Sequence, residues 1–206
     1  MNTAGLAEVF DKISEKITAN KDYLVELDQQ AGDGDLGIYM DAGYRAAAEF
    51  LKTCGIDDLG MAMNKTANVF NENAPSSLGT VTSFIMKGMA KSLKGKENAD
   101  QKELAEAIIK GLENVTEKTG SKQGQKTILD SLYPGAEALL NNADKGIKEA
   151  AELAKTAAAG GSKAAGNLKA VWGRAAYFGE KSIGLLDGGA ETGRLIFEGI
   201  ADWAKE

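Results

Sequence analysis

The segment Thr3-Ala4-Gly5-Leu6-Ala7-Glu8-Val9-Phe10-Asp11-Lys12-Ile13-Ser14-Glu15-Lys16-Ile17-Thr18-Ala19-Asn20 sets Leu6, Val9, Phe10, Ile13 and Ile17 on one helical face. That spacing belongs to an amphipathic helix, not a strand. Thr3 is expected to cap its start and Asn20 to lie near its stop. Similar stripes recur over about 40–53, 56–72, 80–94, 101–118, 126–141, 144–158, 164–178 and 191–204, and no run alternates with period two. Two prolines and abundant Ala, Leu, Lys and Glu agree with that pattern. The expected fold is therefore all-α, a closed barrel or bundle of about eight antiparallel, up-and-down helices, because short connections join antiparallel neighbours. Residues 1–206 are read as one domain.

The stretch Ala157-Ala158-Ala159-Gly160-Gly161-Ser162 is expected to end one helix in a turn. The other glycine-bearing stretches fall at helix junctions, 32–37, 79, 120–124 and 184–189. Alternate junctions of an antiparallel bundle share one end, so a site assembled from several of them is geometrically natural.

The first of these junctions carries the densest chemistry. Within Leu27-Asp28-Gln29-Gln30-Ala31-Gly32-Asp33-Gly34-Asp35-Leu36-Gly37, three carboxylates stand without a Lys or Arg among them. Two like charges about 4 Å apart repel by roughly 4 kcal/mol at an effective dielectric near 20, so converging carboxylates require a compensating cation or proton. Gly32, Gly34 and Gly37 permit a fold tight enough to aim Asp33 and Asp35 toward Asp28, making an all-oxygen cradle suited to Mg²⁺. The competing reading of the motif alone is a solvated acidic turn. An EF-hand does not fit, since the glycine and glutamate positions of that loop are not met.

Composition narrows the chemistry further. A net charge of −6 argues against a nucleic-acid surface. Cys54 is the only cysteine, which excludes an intrachain disulfide and fits a reducing cytoplasm, the expected compartment. No apolar run reaches the roughly 20 residues of a membrane span, and the start lacks a basic region followed by an apolar core. Histidine is absent, so the usual general base and every Ser-His or Cys-His pair are excluded. Chemistry here must run on carboxylates, amides, hydroxyls and cations.

Asn73-Ala74-Pro75-Ser76-Ser77-Leu78-Gly79-Thr80 precedes an apolar helix and offers exposed N–H groups and hydroxyls to an anion. An ordinary serine cap with Pro75 setting the turn is the favoured reading of this segment in isolation. Three further segments gain meaning only together: Gly124-Gln125-Lys126-Thr127-Ile128-Leu129-Asp130, Gly173-Arg174-Ala175 through Ser182-Ile183-Gly184, and Asp187-Gly188-Gly189-Ala190. Taken singly, Lys126 and Arg174 read as solvated helix charges and Asp130 as a surface carboxylate.

In this order, and with Asp28…Gly32-Asp33-Gly34-Asp35, Gly37 and Met40, these segments resemble the ADP-binding L subunit of dihydroxyacetone kinases and the nucleotide domain of the single-chain enzymes. The resemblance runs through most of the chain. It implies a barrel of about eight antiparallel helices with ADP or ATP and two Mg²⁺ ions at one rim. Asp28, Asp33 and Asp35 would hold the metals and act catalytically through them. Leu36, Gly37, Ile38 and Tyr39, Ser76 and Ser77, Gly120, Ile128, Arg174, and Asp187, Gly188 and Gly189 would surround the nucleotide. The resemblance further implies phosphoryl transfer to dihydroxyacetone, or a related short keto-sugar, held on a partner K subunit. The phosphoryl source is ATP in some systems and a phosphotransferase-system donor in others; a homodimer is compatible with it, and no nucleic-acid or membrane partner is implied.

The chain departs from the family where Leu36 and Tyr39 stand for a usual His and Asn, Gly188 for a usual Pro, and the serine loop for a Gly-Gly-x-Ser-Gly pattern. A regulatory adaptor that uses nucleotide state to bind a partner without transferring phosphate is therefore the alternative expectation. A domain serving a fatty-acid-binding partner is a weaker third.

Overall fold

The computed structural model describes all residues 1–206 and is wholly helical. Its helices are α1 (Thr3–Ala19), α2 (Lys21–Gln29), α3 (Leu36–Thr53), α4 (Leu59–Asn73), α5 (Ser77–Ser92), α6 (Gln101–Thr119), α7 (Leu129–Asn141), α8 (Ile147–Ala165) and α9 (Gly188–Trp203), with a 3₁₀ segment at Arg174–Ser182. Packing runs from α1 to α3, then α3 to α4 and onward in chain order to α9, which closes on α1. Eight helices thus form a closed ring, the expected barrel, while the short α2 lies outside it against α3 and α9. Connections such as 54–58, 74–76 and 142–146 leave room only for reversal of direction.

Side chains fill the ring. One buried cluster, with Phe10, Ile17, Met40, Tyr44, Leu59, Met63 and Phe70, is built mainly from the α1, α3 and α4 side. A second, with Leu112, Ile128, Leu129, Leu132 and Phe197, forms the α6 and α7 side. Leu78, Met89, Ile196 and Ile200 pack against both and join them. Tyr44 meets Phe70 edge-on at 4.9 Å, the arrangement that the ring quadrupoles favour. No helix is long and apolar enough to cross a membrane.

Four local expectations change. Asn2 rather than Thr3 caps α1, accepting from the Gly5 N–H at 3.0 Å. The nine-residue α2 has only Leu24 and Leu27 buried, too few apolar positions to stand out in the sequence. Helix α8 runs straight through Gly160 and Gly161 to Ala165, where a turn was expected. The helix expected over 164–178 is absent: residues 166–173 are irregular and 174–182 wind as 3₁₀ turns, broken at Gly173, Gly179 and Gly184, whose φ values are positive. That segment takes its shape from contacts with residues 124–130, which outweigh local propensity.

Candidate functional site

Asp28 lies in the last turn of α2, and the chain then doubles back so that one of its carboxylate oxygens accepts the N–H groups of Gly34 (2.8 Å) and Asp35 (3.1 Å). Gly34 makes this possible with φ +77°, a value costly for any residue with a Cβ. Carboxylate oxygens of Asp28, Asp33 and Asp35 then lie within 4.8 Å of one another. Burial, followed by the charges of Asp33 and Asp28, pushes the Asp35 carboxyl above the usual Asp range, with Arg174 pulling the other way. The exposed Arg174 guanidinium pairs with Asp33. An all-carboxylate set in mutual repulsion, with oxygens converging, fits a hard divalent cation.

The cluster forms one wall of a cleft of about 850 Å³, within the size range of small-molecule sites. The first residues of α3, α5, α7 and α9 all line it: Leu36, Ser77, Leu129 and Gly188. Four positive helix ends therefore face one space, an arrangement that favours an anion. Ser76 caps α5 through its hydroxyl, which accepts the Gly79 N–H at 3.0 Å, and Ser77 follows on the lining. At α9, Gly188 and Gly189 permit close approach: a Cβ on Gly188 would come within 2.8 Å of a Leu36 methyl, and one on Gly189 within 3.1 Å of the Ile128 nitrogen. Leu36 thus fills the space above Gly188.

Asp187 caps α9 by accepting the Ala190 N–H at 2.7 Å. Burial dominates its titration and pushes its carboxyl up to about 6, against the pull of that N–H and of Lys126. Between the ordinary value of 3.8 and about 6, the folded chain holds a proton that the unfolded chain has lost. This group's contribution to stability therefore declines as pH rises through that window. We expect Asp187→Asn to remove that component, so that the difference in melting temperature between wild type and variant changes across pH 4–6 and is flat above it. A pH-independent difference would place the carboxyl at an ordinary pKa.

The remaining wall comes from the segment between α8 and α9, with Trp172, Gly173, Arg174, Ala175, Leu185 and Leu186 on the lining. Trp172 donates its indole N–H to Gln125 at 2.6 Å. Neither Lys126 nor Asp130 is solvated. Lys126 is 3% exposed and Asp130 5%. The Asp130 carboxylate accepts the Gly124 and Thr127 N–H groups and so fixes the turn before α7.

Of the residues expected around the nucleotide, the cleft brings together Asp28, Asp33, Asp35, Leu36, Ser76, Ser77, Ile128, Arg174, Asp187, Gly188 and Gly189. Gly37, Ile38, Tyr39 and Gly120 are not on its lining. Gly37 faces α2, where a Cβ would meet the Lys21 carbonyl oxygen at 2.2 Å. Ile38 is exposed and Tyr39 packs against the core. Gly120 is the left-handed cap of α6, beside the lining residues Thr119 and Ser121. Sequence reasoning missed the structural parts of Lys126, Asp130 and Trp172. The one available signal was a lysine and an aspartate bracketing a turn after Gly124.

The DAK2 domain pattern matches residues 30–202. The PTS-dependent dihydroxyacetone kinase, ADP-binding subunit DhaL of Lactococcus lactis is 30% identical, with 95% of this chain and 94% of that protein covered. The PEP-dependent dihydroxyacetone kinase 2, ADP-binding subunit DhaL of Listeria innocua is 31% identical over 100% of this chain and 97% of that protein. Among solved structures, the dihydroxyacetone kinase from C. freundii in complex with AMP-PNP and Mg²⁺ superposes with a TM-score of 0.73 at 22% identity, covering 95% of this chain and 33% of the larger one. That likeness establishes a shared fold. A ring of eight helices carrying an aspartate cluster at one rim, matched over most of its length by the domain pattern and by full-length relatives, belongs to the DAK2 domain family.

Proposed function

We propose that the chain is the nucleotide-binding, phosphoryl-transferring subunit of a two-component kinase for dihydroxyacetone or a related short keto-sugar, working in the cytoplasm as one domain over residues 1–206. The observation that carries this reading is the convergence of three carboxylates and four helix N-termini on one cleft. Asp28, Asp33 and Asp35 would hold two Mg²⁺ ions, which supply charge neutralisation and alignment of phosphate oxygens when bound.

The chain's own groups complete the site. Ser77 and the first turn of α5 offer N–H donors to a phosphate, and the start of α9 at Gly188 and Gly189 lies on the same lining. Arg174 is placed to move its charge from Asp33 to the phosphates. Trp172 and Leu186 provide apolar surface for a base. With no histidine in the chain, the acceptor sugar is assigned to a K-type partner. The names of the DhaL relatives support ADP as the resident nucleotide and a phosphotransferase component as phosphoryl donor.

Calorimetric titration with ADP and ATP, with and without Mg²⁺, tests the reading. The expected result is one nucleotide per chain, weakened by at least about 100-fold in EDTA. With ATP or a phosphotransferase component supplying the phosphoryl group, dihydroxyacetone phosphorylation should appear only when a K-type subunit is added. Absence of binding, or turnover by the chain alone, would overturn the assignment.

A further inference from the structure

The segment joining α8 to α9 leaves the barrel at Gly166, passes over the cleft with Trp172 and Arg174, and returns by Leu185 to Asp187. Its two legs touch directly at few points. The Gly184 N–H donates to the Gly166 carbonyl at 2.8 Å, and the Ala170 N–H to the Ser182 hydroxyl at 3.0 Å. An exposed ion pair, Lys169 with Glu180 at 2.9 Å, also spans them. The buried join is a side chain from elsewhere in the fold. The Lys126 ammonium lies 3.1 Å from the Gly166 carbonyl and 3.3 Å from Leu168 on the outgoing leg, and 2.8 Å from Ser182 and 2.6 Å from Leu185 on the returning leg.

An ammonium has three hydrogens, so four acceptors saturate it completely. A buried cation with no carboxylate in hydrogen-bond contact is costly unless carbonyl dipoles aim at it, and these four do. The turn that delivers it is itself constrained. Lys126 is the one non-glycine residue with positive φ, at 60°, and the buried Asp130 carboxylate holds the N–H groups on either side, Gly124 and Thr127. A strained backbone held this way indicates that the surroundings require the side chain in one place.

We propose that Lys126 is a positioning residue: its ammonium clasps the two legs of the 166–187 segment into a closed flap, which sets Arg174 over the aspartate cluster and retains the nucleotide in the cleft. This rests on the nucleotide-binding reading above. Lys126 lies on the cleft lining, but its ammonium is taken up by the four carbonyls and acts in this scheme through the flap. Removing the ammonium leaves the Leu168 and Leu185 carbonyls without their donor and Gly166 and Ser182 with one backbone N–H each, so the legs separate to reach water. The flap opens while the ring of eight helices, whose contacts lie elsewhere, persists.

The full chain carrying Lys126→Met, which keeps the stem and removes the charge, tests this in two independent ways. Without nucleotide, trypsin should cut after Lys169, Arg174 and Lys181 at least about tenfold faster than in wild type, and amide exchange should accelerate in 166–187 alone. With Mg²⁺ and a fluorescent ADP analogue, dissociation should be at least about tenfold faster, with the requirement for Mg²⁺ retained. Lys126→Arg, which restores the charge and donors, should recover part of both effects. Unchanged proteolysis and exchange would overturn the clasp, as would loss of protection across all the helices, which would make Lys126 a general core residue. An opened flap with an unchanged dissociation rate would overturn its retention of nucleotide. If wild type binds no Mg²⁺-nucleotide, the proposed function fails, and the proteolysis and exchange results still decide whether the clasp exists.

Discussion

Asp35→Asn is expected to weaken Mg²⁺-dependent ADP binding by at least about 100-fold while leaving the melting temperature of the nucleotide-free protein equal to wild type or slightly above it. The two halves have one cause. Asp35 stands at the start of α3 with its carboxyl pushed upward by burial and by the Asp33 and Asp28 charges. Without a cation its charge is a liability, so the isosteric amide relieves repulsion. With a cation, the same charge is a ligand for a hard ion, and a neutral amide is a poorer one. Loss of metal-linked affinity without loss of stability is therefore the signature of a binding cluster, as opposed to a structural one.

Asp28 should behave differently. Its carboxylate also accepts the Gly34 and Asp35 N–H groups, so Asp28→Ala would lose the loop along with the ligand. Calorimetry beside thermal denaturation separates these effects. Equal Mg²⁺-ADP affinity in Asp35→Asn and wild type would return the cluster to a solvated turn.

The sequence exposes what depends on periodicity. Apolar stripes such as Leu6, Val9, Phe10, Ile13 and Ile17 locate the ring helices, and short connections imply their antiparallel order. The aspartate run is legible because alternating Gly and Asp serve few purposes, and the structure does fold it so that the carboxylates converge. Long-range decisions are not legible in the same way. The helical pattern read over 164–178 gives no sign that α8 stops at Ala165 and that 166–173 are irregular, where Lys126, about forty residues earlier, takes the carbonyls of Gly166 and Leu168. Gly37 reads as part of the metal loop, yet its missing Cβ makes room for the Lys21 carbonyl of α2, a helix too short to be seen in the pattern. Likewise Glu191, in the first turn of α9, is placed by partners distant in sequence. It is buried, and hydrogen bonds from Arg194, Ser162 and Tyr23 hold its carboxyl below the usual Glu range despite burial, tying α2, α8 and α9 together.

The adjacent glycines of α8 supply the second large expected effect, because the structure gives them opposite roles. Gly160→Ala should stabilise the protein by about 0.5–1 kcal/mol, since the position is exposed, helical and without a neighbour within 4 Å of a new Cβ. Gly161→Ala should destabilise it by about 2–4 kcal/mol. A Cβ there would lie 2.1 Å from the Asp130 carbonyl oxygen and 3.1 Å from Pro134 Cγ. Neither neighbour can yield easily: Pro134 sits inside α7 and has no N–H to give to the Asp130 carbonyl four residues before it. The α7 carbonyl left without a helical donor thus faces Gly161 of α8, and only a residue lacking Cβ fits. To admit one, α7 and α8 must part, and with them Asp130, which holds the turn that carries Lys126. Chemical denaturation of both variants checks the pair, and a 1 kcal/mol change in a chain of this size moves the melting temperature by about 2–4 °C. Equal effects at the two positions would mean that the helices are not packed through Gly161, and that the break in α8 suggested by the Gly-Gly pair is the better description.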